Sequence, residues 1–267
     1  MGANVHPAST GTAVPSRFVA NTAQDCDEGV LIRCRPVGDD PAVHLLRELI
    51  AVVAPPGCAA CGRALARSAE RLCSECTRAL PWLHGGCPRC GLPAHRGRRC
   101  PAAHAAYPRA WAPLAYEGVA RRLVAALKFR GALPAADLMA AHIAANLPMS
   151  LRDPPAVLVP VPAAPARRRA RGFDPARVLT AALAGRIERQ LVDCLVREDR
   201  TARQVGAGRR ERRAPGRLLV RVRGDPPSLA ILVDDVHTTG ATLDTCARAL
   251  VADGTTVVAA ISYARTL

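Results

Sequence analysis

Two adjacent acidic residues followed by a hydroxyl-rich turn form the segment of this chain best suited to sugar and phosphate chemistry. Residues 231–242 read ILVDDVHTTGAT, so Asp234 and Asp235 directly follow an apolar run and threonines flank Gly240. Backbone N–H groups at such a turn, with the positive end of a following helix, can hold a phosphate. We expect the two carboxylates to accept hydrogen bonds from ribose hydroxyl groups or to hold hydrated Mg²⁺.

The elements on either side of this turn are predicted to be a buried strand and a helix. Residues 229–233 are apolar without alternation, which is typical of a parallel strand covered on both faces. Residues 243–252 are predicted to be helical. Because parallel sheets bind ligands at the carboxyl ends of their strands, the turn lies where a ligand site is expected.

A second candidate anion site is a basic loop between a strand and a helix. The apolar residues 157–162 lead into a segment that contains Arg171 and Gly172, and a helix is predicted over residues 175–189. Guanidinium groups can bind phosphate oxygens in a two-pronged geometry. Further along, Arg200 and Arg203 belong to an arginine-rich run whose like charges predict a mobile loop or an exposed helix.

Cysteine pairs at Cys-x2-Cys spacing predict zinc sites, because each such turn directs two thiolates at one point. The ligands assigned to the two sites are Cys58, Cys61, Cys73 and Cys76 for the first, and Cys87, Cys90, Cys100 and His104 for the second. His95 is the alternative to His104 as fourth ligand of the second site. The predicted role is structural, because four protein ligands leave no open position for a substrate.

Composition limits the classes of protein to consider. The 267 residues can bury a sizeable core, and the 11 cysteines favour metal binding over disulfides in a reducing compartment. The net charge is +15, and residues 167–223 hold 17 arginines against six acids, which favours phosphate-bearing partners. No apolar run is long enough for a membrane span and no signal peptide is evident, so a cytoplasmic location is predicted.

Alternating strands and helices predict an α/β fold with a parallel sheet flanked by helices, preceded by a small zinc-ribbon-like domain. We predict a disordered extension over residues 1–41, a helix and zinc-binding domain over 42–108, and the α/β domain over 109–267. The predicted strands are 157–162, 191–196, 218–222, 229–233 and 257–263, and the predicted helices after the cysteines include 119–129 and 134–147.

Lys128 is the only lysine of the chain and lies near the end of the predicted helix 119–129. A solvated helix end is the favoured interpretation, with a functional role as the alternative. Aromatic residues make up only 3% of the chain and are scattered, which argues against a stacking platform for nucleic-acid bases.

Together these segments resemble known proteins. The turn after Asp235 resembles the signature with which type I phosphoribosyltransferases bind 5-phosphoribosyl-1-diphosphate (PRPP). Over residues 45–265 the order of motifs resembles the ComF family: Cys-x2-Cys pairs, Tyr-x-Gly, Leu-Lys-Phe-x-Gly, Val-Pro-Val-Pro, Arg-x-Arg-Gly-Phe, Arg-x-x-Arg-Thr-x-x-Gln and the PRPP turn. Asp174 departs from the family, which usually has Asn there.

The resemblance implies residue roles as well as a fold of the type I phosphoribosyltransferase kind. The implied PRPP-binding residues are Asp234, Asp235, His237, Thr238, Thr239, Gly240, Ala241 and Thr242. Arg171 and Gly172 would face the diphosphate, and Arg200 and Arg203 would belong to a flexible loop that closes over it. The implied cofactors are structural Zn²⁺ and, with PRPP, Mg²⁺.

Two functions remain open at the level of sequence. The resemblance implies a role in DNA uptake during natural transformation, with a DNA helicase as partner, PRPP or another phosphorylated ribose as ligand, and single-stranded DNA as a further partner. The alternative is an active PRPP-dependent phosphoribosyltransferase in nucleotide or related metabolism. No residue presents itself as a catalytic base, so whether the protein is an enzyme stays open.

Overall fold

The structure is a computed structural model that describes residues 57–67, 69–95, 99–198 and 219–267. The predicted extension over residues 1–41, the helix predicted before the cysteines, and Arg200 and Arg203 lie outside the described residues. Among the described helices, none has the length and apolar character needed to cross a membrane.

The described chain alternates helices and strands after the cysteine-rich region. The helices are α1 (Ser74–Arg78), α2 (Gly118–Arg130), α3 (Leu133–Asn146), α4 (Met149–Arg152), α5 (Pro165–Arg171), α6 (Pro175–Arg186) and α7 (Ala241–Ala252). The strands are β1 (Ala110–Trp111), β2 (Leu114–Ala115), β3 (Val157–Pro160), β4 (Leu195–Glu198), β5 (Leu219–Val222), β6 (Leu229–His237) and β7 (Thr256–Arg265).

A parallel sheet forms the centre of the fold. Its strand order is β1-β7-β6-β3, and β2 also pairs with β7. The register places Leu158 beside Ile231 and Val233 beside Ile261. Strand β6 is longer than its apolar run: it continues through both acids to His237, which pairs with Arg265. The acids therefore lie on the last residues of a strand and not in the turn after it.

Strands β4 and β5 form a separate antiparallel ribbon, which corrects two predictions. The strand predicted over 191–196 begins at Leu195, and Leu191 makes only an isolated bridge to Leu158. The strand predicted over 218–222 pairs with β4 and not with the parallel sheet. The reason is visible in burial: β5 alternates exposed and half-buried residues, a pattern suited to a ribbon with one solvated face.

The hydrophobic core has two parts, and each receives side chains from the cysteine-rich region. One part joins Leu65 and Leu80 to α2, α3 and α6, where Leu123 and Leu127 are fully buried. The other part joins Tyr107 to β6 and α7. All described residues accordingly belong to one compact unit.

Asp174 caps the N-terminus of α6 and also fixes the loop after β3. Its Oδ1 accepts hydrogen bonds from the backbone N–H groups of Ala176 and Arg177, while its Oδ2 accepts one of 2.7 Å from Ala163 N–H. Burial raises the pKa of Asp174, against the lowering effect of these donors. The departure from Asn thus adds a second acceptor, because an Asn side chain has only one oxygen.

We predict that Asp174→Ala lowers the free energy of unfolding by about 1–2 kcal/mol, because it removes the helix cap and the acceptor for Ala163 N–H. Asp174→Asn should cost less, since one acceptor oxygen remains. Urea denaturation of the three proteins measures this difference. Equal stability of the alanine variant and the wild type would contradict the capping role.

Candidate functional site

The carboxyl end of β6 carries two carboxylates, one of which meets a lysine from α2. Lys128 Nζ lies 2.6 Å from Asp235 Oδ1, and Asp235 is only 6% exposed. Asp234 Oδ1 accepts a hydrogen bond of 2.8 Å from the backbone N–H of Asp235. The interpretation of Lys128 as a solvated helix end is therefore wrong, because this lysine neutralises one of the two acids.

Among the described residues, Asp234, the second acid of the pair, makes no ion pair of its own, since Lys128 pairs with Asp235. Burial and the charge of Asp235 raise the pKa of Asp234 to about 8, although the Asp235 N–H and Lys128 oppose this shift. Two neighbouring carboxylates ionise together only when enough positive charge is close by. The arrangement is suited to a divalent cation, or to hydroxyl groups that donate hydrogen bonds to the carboxylates.

The turn after β6 presents backbone N–H groups at the start of α7. Helix α7 begins at Ala241 and has twelve residues, and the first N–H groups of a helix lack partners within the helix. Ala241 N–H makes only a long hydrogen bond of 3.4 Å to Thr239 Oγ1. With the helix dipole, these donors favour an anion at the turn.

Gly240 allows this turn to pass close to two buried rings. Its φ is +82°, and a Cβ atom at this position would lie 2.6 Å from the Tyr107 hydroxyl and 2.7 Å from His237 Nε2. Both distances are far below van der Waals contact, and the backbone conformation itself disfavours a side chain. Glycine is therefore required here by both space and conformation.

His237 lies behind the turn, which corrects its predicted contact with PRPP. The ring is 3% exposed, packs edge-on against Tyr107 with centroids 6.3 Å apart, and does not line the cavity in front of the acids. Burial and the charge of Arg265 lower the pKa of His237 to about 4, so the ring is neutral at pH 7. Its role is to fill space beneath the turn.

A cavity of about 230 Å³ lies at the carboxyl ends of β3 and β6. Five of the residues predicted to bind PRPP or its diphosphate line this cavity, namely Asp234, Asp235, Thr238, Thr242 and Arg171. Thr239, Gly240 and Ala241 form the turn without lining this cavity, and Gly172 lines a larger neighbouring cavity of about 810 Å³.

Three cationic residues of the cavity were not among the residues predicted to bind PRPP or its diphosphate. Lys128, Arg167 and Arg197 also line the small cavity, so cations from α2, α5 and β4 surround the two acids. Lys128 carried a weak signal as the only lysine of the chain. Arg167 belongs to the basic segment predicted as an anion site, and Arg197 begins the Arg-x-x-Arg-Thr-x-x-Gln motif. Their positions beside the two acids were not predicted, because these depend on how the elements pack.

Two phenylalanines border the same basic surface. The Arg171 guanidinium lies 5.2 Å from the centre of the Phe129 ring, and Phe129 is 74% exposed. Phe129 and Phe173 line a shallow cavity of about 470 Å³ that shares Lys128, Arg167 and Arg171 with the acidic site. The fold thus collects aromatic residues that are scattered in sequence next to guanidinium groups.

The cysteines form two groups of metal-ligand geometry. The groups are Cys58, Cys61, Cys73 and Cys76, and Cys87, Cys90, His95 and Cys100, with the ligand atoms of each group within 4.8 Å of one another. Sulfur atoms are 3.8 Å apart between Cys61 and Cys73 and 3.9 Å apart between Cys87 and Cys100. A tetrahedral Zn²⁺ with Zn–S bonds of about 2.3 Å places its sulfurs about 3.8 Å apart. The residues therefore fit zinc.

Both groups are built on the same backbone turn. In the first, Gly62 N–H donates to Cys58 O and Cys58 N–H donates to Arg63 O. In the second, Gly91 N–H donates to Cys87 O and Cys87 N–H donates to Leu92 O. Gly62 and Gly91 each have a positive φ, which glycine adopts without steric cost.

Comparison with known families agrees with this geometry. Residues 49–104 match the family model of the double zinc ribbon domain. No curated protein matches the chain. The chain thus has two zinc-binding clusters in a small ribbon region, followed by an α/β region with a mostly parallel sheet flanked by helices.

The fourth ligand of the second zinc ribbon is His95, which corrects the assignment of His104. His95 Nε2 lies 2.9 Å from Cys90 Sγ, whereas His104 is not part of the group. The sequence spacing allowed either histidine. The backbone carbonyl of His104 instead accepts a hydrogen bond from Arg248.

Thiol pKa values within the first ribbon differ because of local donors. Burial opposes ionisation of Cys58, but backbone N–H groups of Cys61 and Cys73 lower its pKa to about 6. Burial raises the pKa of Cys76 to about 12, and thiols of the same cluster add to this. Cys58 thus forms a thiolate readily, whereas ionisation of Cys76 requires the charge of a metal.

We predict two zinc ions per chain, one for each cluster. Cys58→Ser and Cys90→Ser should each lower the zinc content of the purified protein to about one ion per chain, because a cluster with three ligands binds zinc more weakly. Cys194→Ser is the control, since Cys194 is buried outside both clusters. Elemental analysis decides the outcome, and a wild-type protein without zinc would contradict the assignment.

Proposed function

We propose that this chain is a ComF-like protein with a type I phosphoribosyltransferase fold, and that it binds PRPP or another phosphorylated ribose at the carboxyl ends of β3 and β6. The observation that carries the proposal is the small cavity, where two acids, two threonines and several cations meet. A phosphorylated ribose combines hydroxyl groups with anionic groups, and the cavity offers a partner for each.

Each side of the cavity matches one part of such a ligand. Thr238 and Thr242, with the N–H groups at the start of α7, would hold the 5′-phosphate. Asp234 and Asp235 would accept hydrogen bonds from the ribose hydroxyl groups. Arg171 and Arg167, on α5, would bind the diphosphate. If Mg²⁺ is bound, the two acids would hold it, and it would neutralise charge on the diphosphate.

Lys128 would change partner when the ligand binds. Its ammonium group pairs with Asp235, and both residues line the cavity. A diphosphate is a stronger partner for a lysine than one carboxylate because it carries more negative charge. The released carboxylate would then be available to the sugar or to a cation.

Phosphoribosyl transfer itself is the less supported part of the proposal. The reaction breaks the bond between C1 and diphosphate and forms a bond to an incoming nucleophile with inversion at C1. It needs shielding from water as well as charge stabilisation. The cavity supplies cations for the departing diphosphate, but among the described residues no side chain is placed as an evident base for an acceptor.

Single-stranded DNA is the second ligand we propose, in line with the role in DNA uptake beside a helicase that the ComF resemblance implies. The supporting observation is the exposed Phe129 ring beside Arg171, next to further arginines. Bases stack on aromatic rings and guanidinium planes, and arginines bind the phosphates between them.

We predict that calorimetric titration with PRPP and Mg²⁺ detects binding to the wild type. Asp235→Asn should weaken binding by roughly tenfold or more, because it removes a charged acceptor for the ligand, while Thr238→Ala should weaken it by roughly fivefold. Asp253→Asn is the matched control, since this exposed acid lies at the far end of α7. Absence of binding to the wild type would overturn the proposed ligand.

We predict that Phe129→Ala weakens binding of a single-stranded oligonucleotide by roughly fivefold or more while leaving its salt dependence unchanged, because the ring stacks without contacting phosphate. Arg171→Ala should instead reduce the slope of log affinity against log salt by about 0.7. Met149→Ala, which removes another exposed apolar side chain, is the control. Fluorescence anisotropy at several salt concentrations measures both effects, and an unchanged affinity of Phe129→Ala would place the DNA elsewhere.

A further inference from the structure

A buried arginine links the second zinc ribbon to the turn after β6. The Arg265 side chain extends from the end of β7, and the residue is 4% exposed. Its Nε donates a hydrogen bond of 3.0 Å to the Cys90 carbonyl, and its Nη1 donates to the carbonyls of His237, at 2.9 Å, and Thr238. One guanidinium therefore joins the backbone of a zinc ligand to the first residues of the turn.

The buried Arg265 guanidinium lies beside the second zinc cluster, because its Nε contacts the carbonyl of the ligand Cys90. The partners of Arg265 named above are neutral carbonyl groups, and burying a cation without a counter-charge is costly. Three thiolates, a neutral histidine and Zn²⁺ carry a net charge of −1, and Cys90 is one of these thiolates. The metal-loaded cluster thus supplies the nearby negative charge.

A second set of contacts fixes the other end of the turn to the same ribbon. Asp244, in the first turn of α7, accepts a hydrogen bond of 2.7 Å from Ala106 N–H and one of 2.9 Å from Arg248 Nε. Arg248 Nη2 also donates to the His104 carbonyl at 2.7 Å. The segment after Cys100 is therefore held against the start of α7, where the phosphate-binding N–H groups lie.

The first ribbon has no equivalent role among the described contacts. Its buried residues pack with α2, α3 and α6 in the other part of the core. At the exposed end of α2, Arg130 Nη2 donates a hydrogen bond of 3.0 Å to the Ala59 carbonyl of this ribbon. The two zinc sites are thus unequal in their relation to the turn.

We propose that Arg265 is a positioning residue through which zinc in the second ribbon holds the turn after β6 in its anion-binding shape. This inference rests on the proposed function for the identity of the ligand, but the coupling between zinc and the turn is a property of the unliganded protein. Loss of zinc at Cys90 would loosen residues 237–242 and weaken ligand binding, whereas loss of zinc at the first ribbon would not.

Hydrogen exchange of residues 237–242, followed by mass spectrometry, tests the coupling without any ligand. Cys100→Ser, which removes one ligand of the second cluster, should speed exchange in this segment by about tenfold or more, since hydrogen bonds to a charged group are lost. Cys61→Ser, the matched change in the first cluster, should not. Equal exchange in both variants would overturn the inference.

Arg265→Met separates the arginine from the metal. We expect both zinc ions to be retained, exchange in residues 237–242 to rise as in Cys100→Ser, and Arg265→Lys to show a smaller rise because it keeps the charge without the planar fork. Arg63→Met, which removes an arginine paired with Glu75 in the first ribbon, is the control. If exchange also rises throughout β3, the methionine variant is misfolded, and Arg265→Lys alone then decides: unchanged exchange in 237–242 overturns the inference.

Titration of the same variants with PRPP and Mg²⁺ keeps the two proposals distinct. If the wild type binds and the inference holds, affinity falls in Cys100→Ser and Arg265→Met and is unchanged in Cys61→Ser. If the wild type does not bind, the proposed function fails, while the exchange results still support or overturn the coupling.

Discussion

The parallel pairing of β3 and β6 is the constraint on which the candidate site depends. Parallel strands end at the same edge of a sheet, so the basic helix α5 after β3 and the acids at the end of β6 are brought together although about 60 residues separate them in sequence. The pairing gives one cavity that is lined by both the acids and the arginines. Lys128, at the end of α2, balances part of the negative charge.

The turn after β6 is held in place by residues packed on the side facing away from the cavity. Gly240 leaves room for Tyr107 and His237, and the Arg265 guanidinium holds the carbonyls at the start of the turn. Tyr107 packs in the same part of the core as Cys90. The Cys90 carbonyl, which accepts a hydrogen bond from Arg265, belongs to the second zinc ribbon. The ribbon region therefore contacts this turn directly, because one guanidinium donates hydrogen bonds both to the Cys90 carbonyl and to a carbonyl at the start of the turn.

Sequence patterns predicted the parts of this structure that are encoded locally. The unbroken apolar run gave the central strand, and Cys-x2-Cys spacing gave both zinc clusters. Features that depend on contacts between residues distant in sequence could not be predicted from local patterns. Strand β6 extends to His237 only because β7 pairs with it there, and Lys128 reaches Asp235 across 107 residues. Either His95 or His104 satisfied the spacing, and the fold of the second ribbon decided between them.

A crystal structure of the protein with ribose 5-phosphate tests the central claim most directly. The account predicts phosphate density within hydrogen-bonding distance of the N–H groups of residues 239–242, with the ribose hydroxyl groups at the carboxylates of Asp234 and Asp235. Density at another surface, or an empty cavity with Asp235 still paired to Lys128 at saturating ligand, would contradict the account and leave the zinc ribbons as its surviving part.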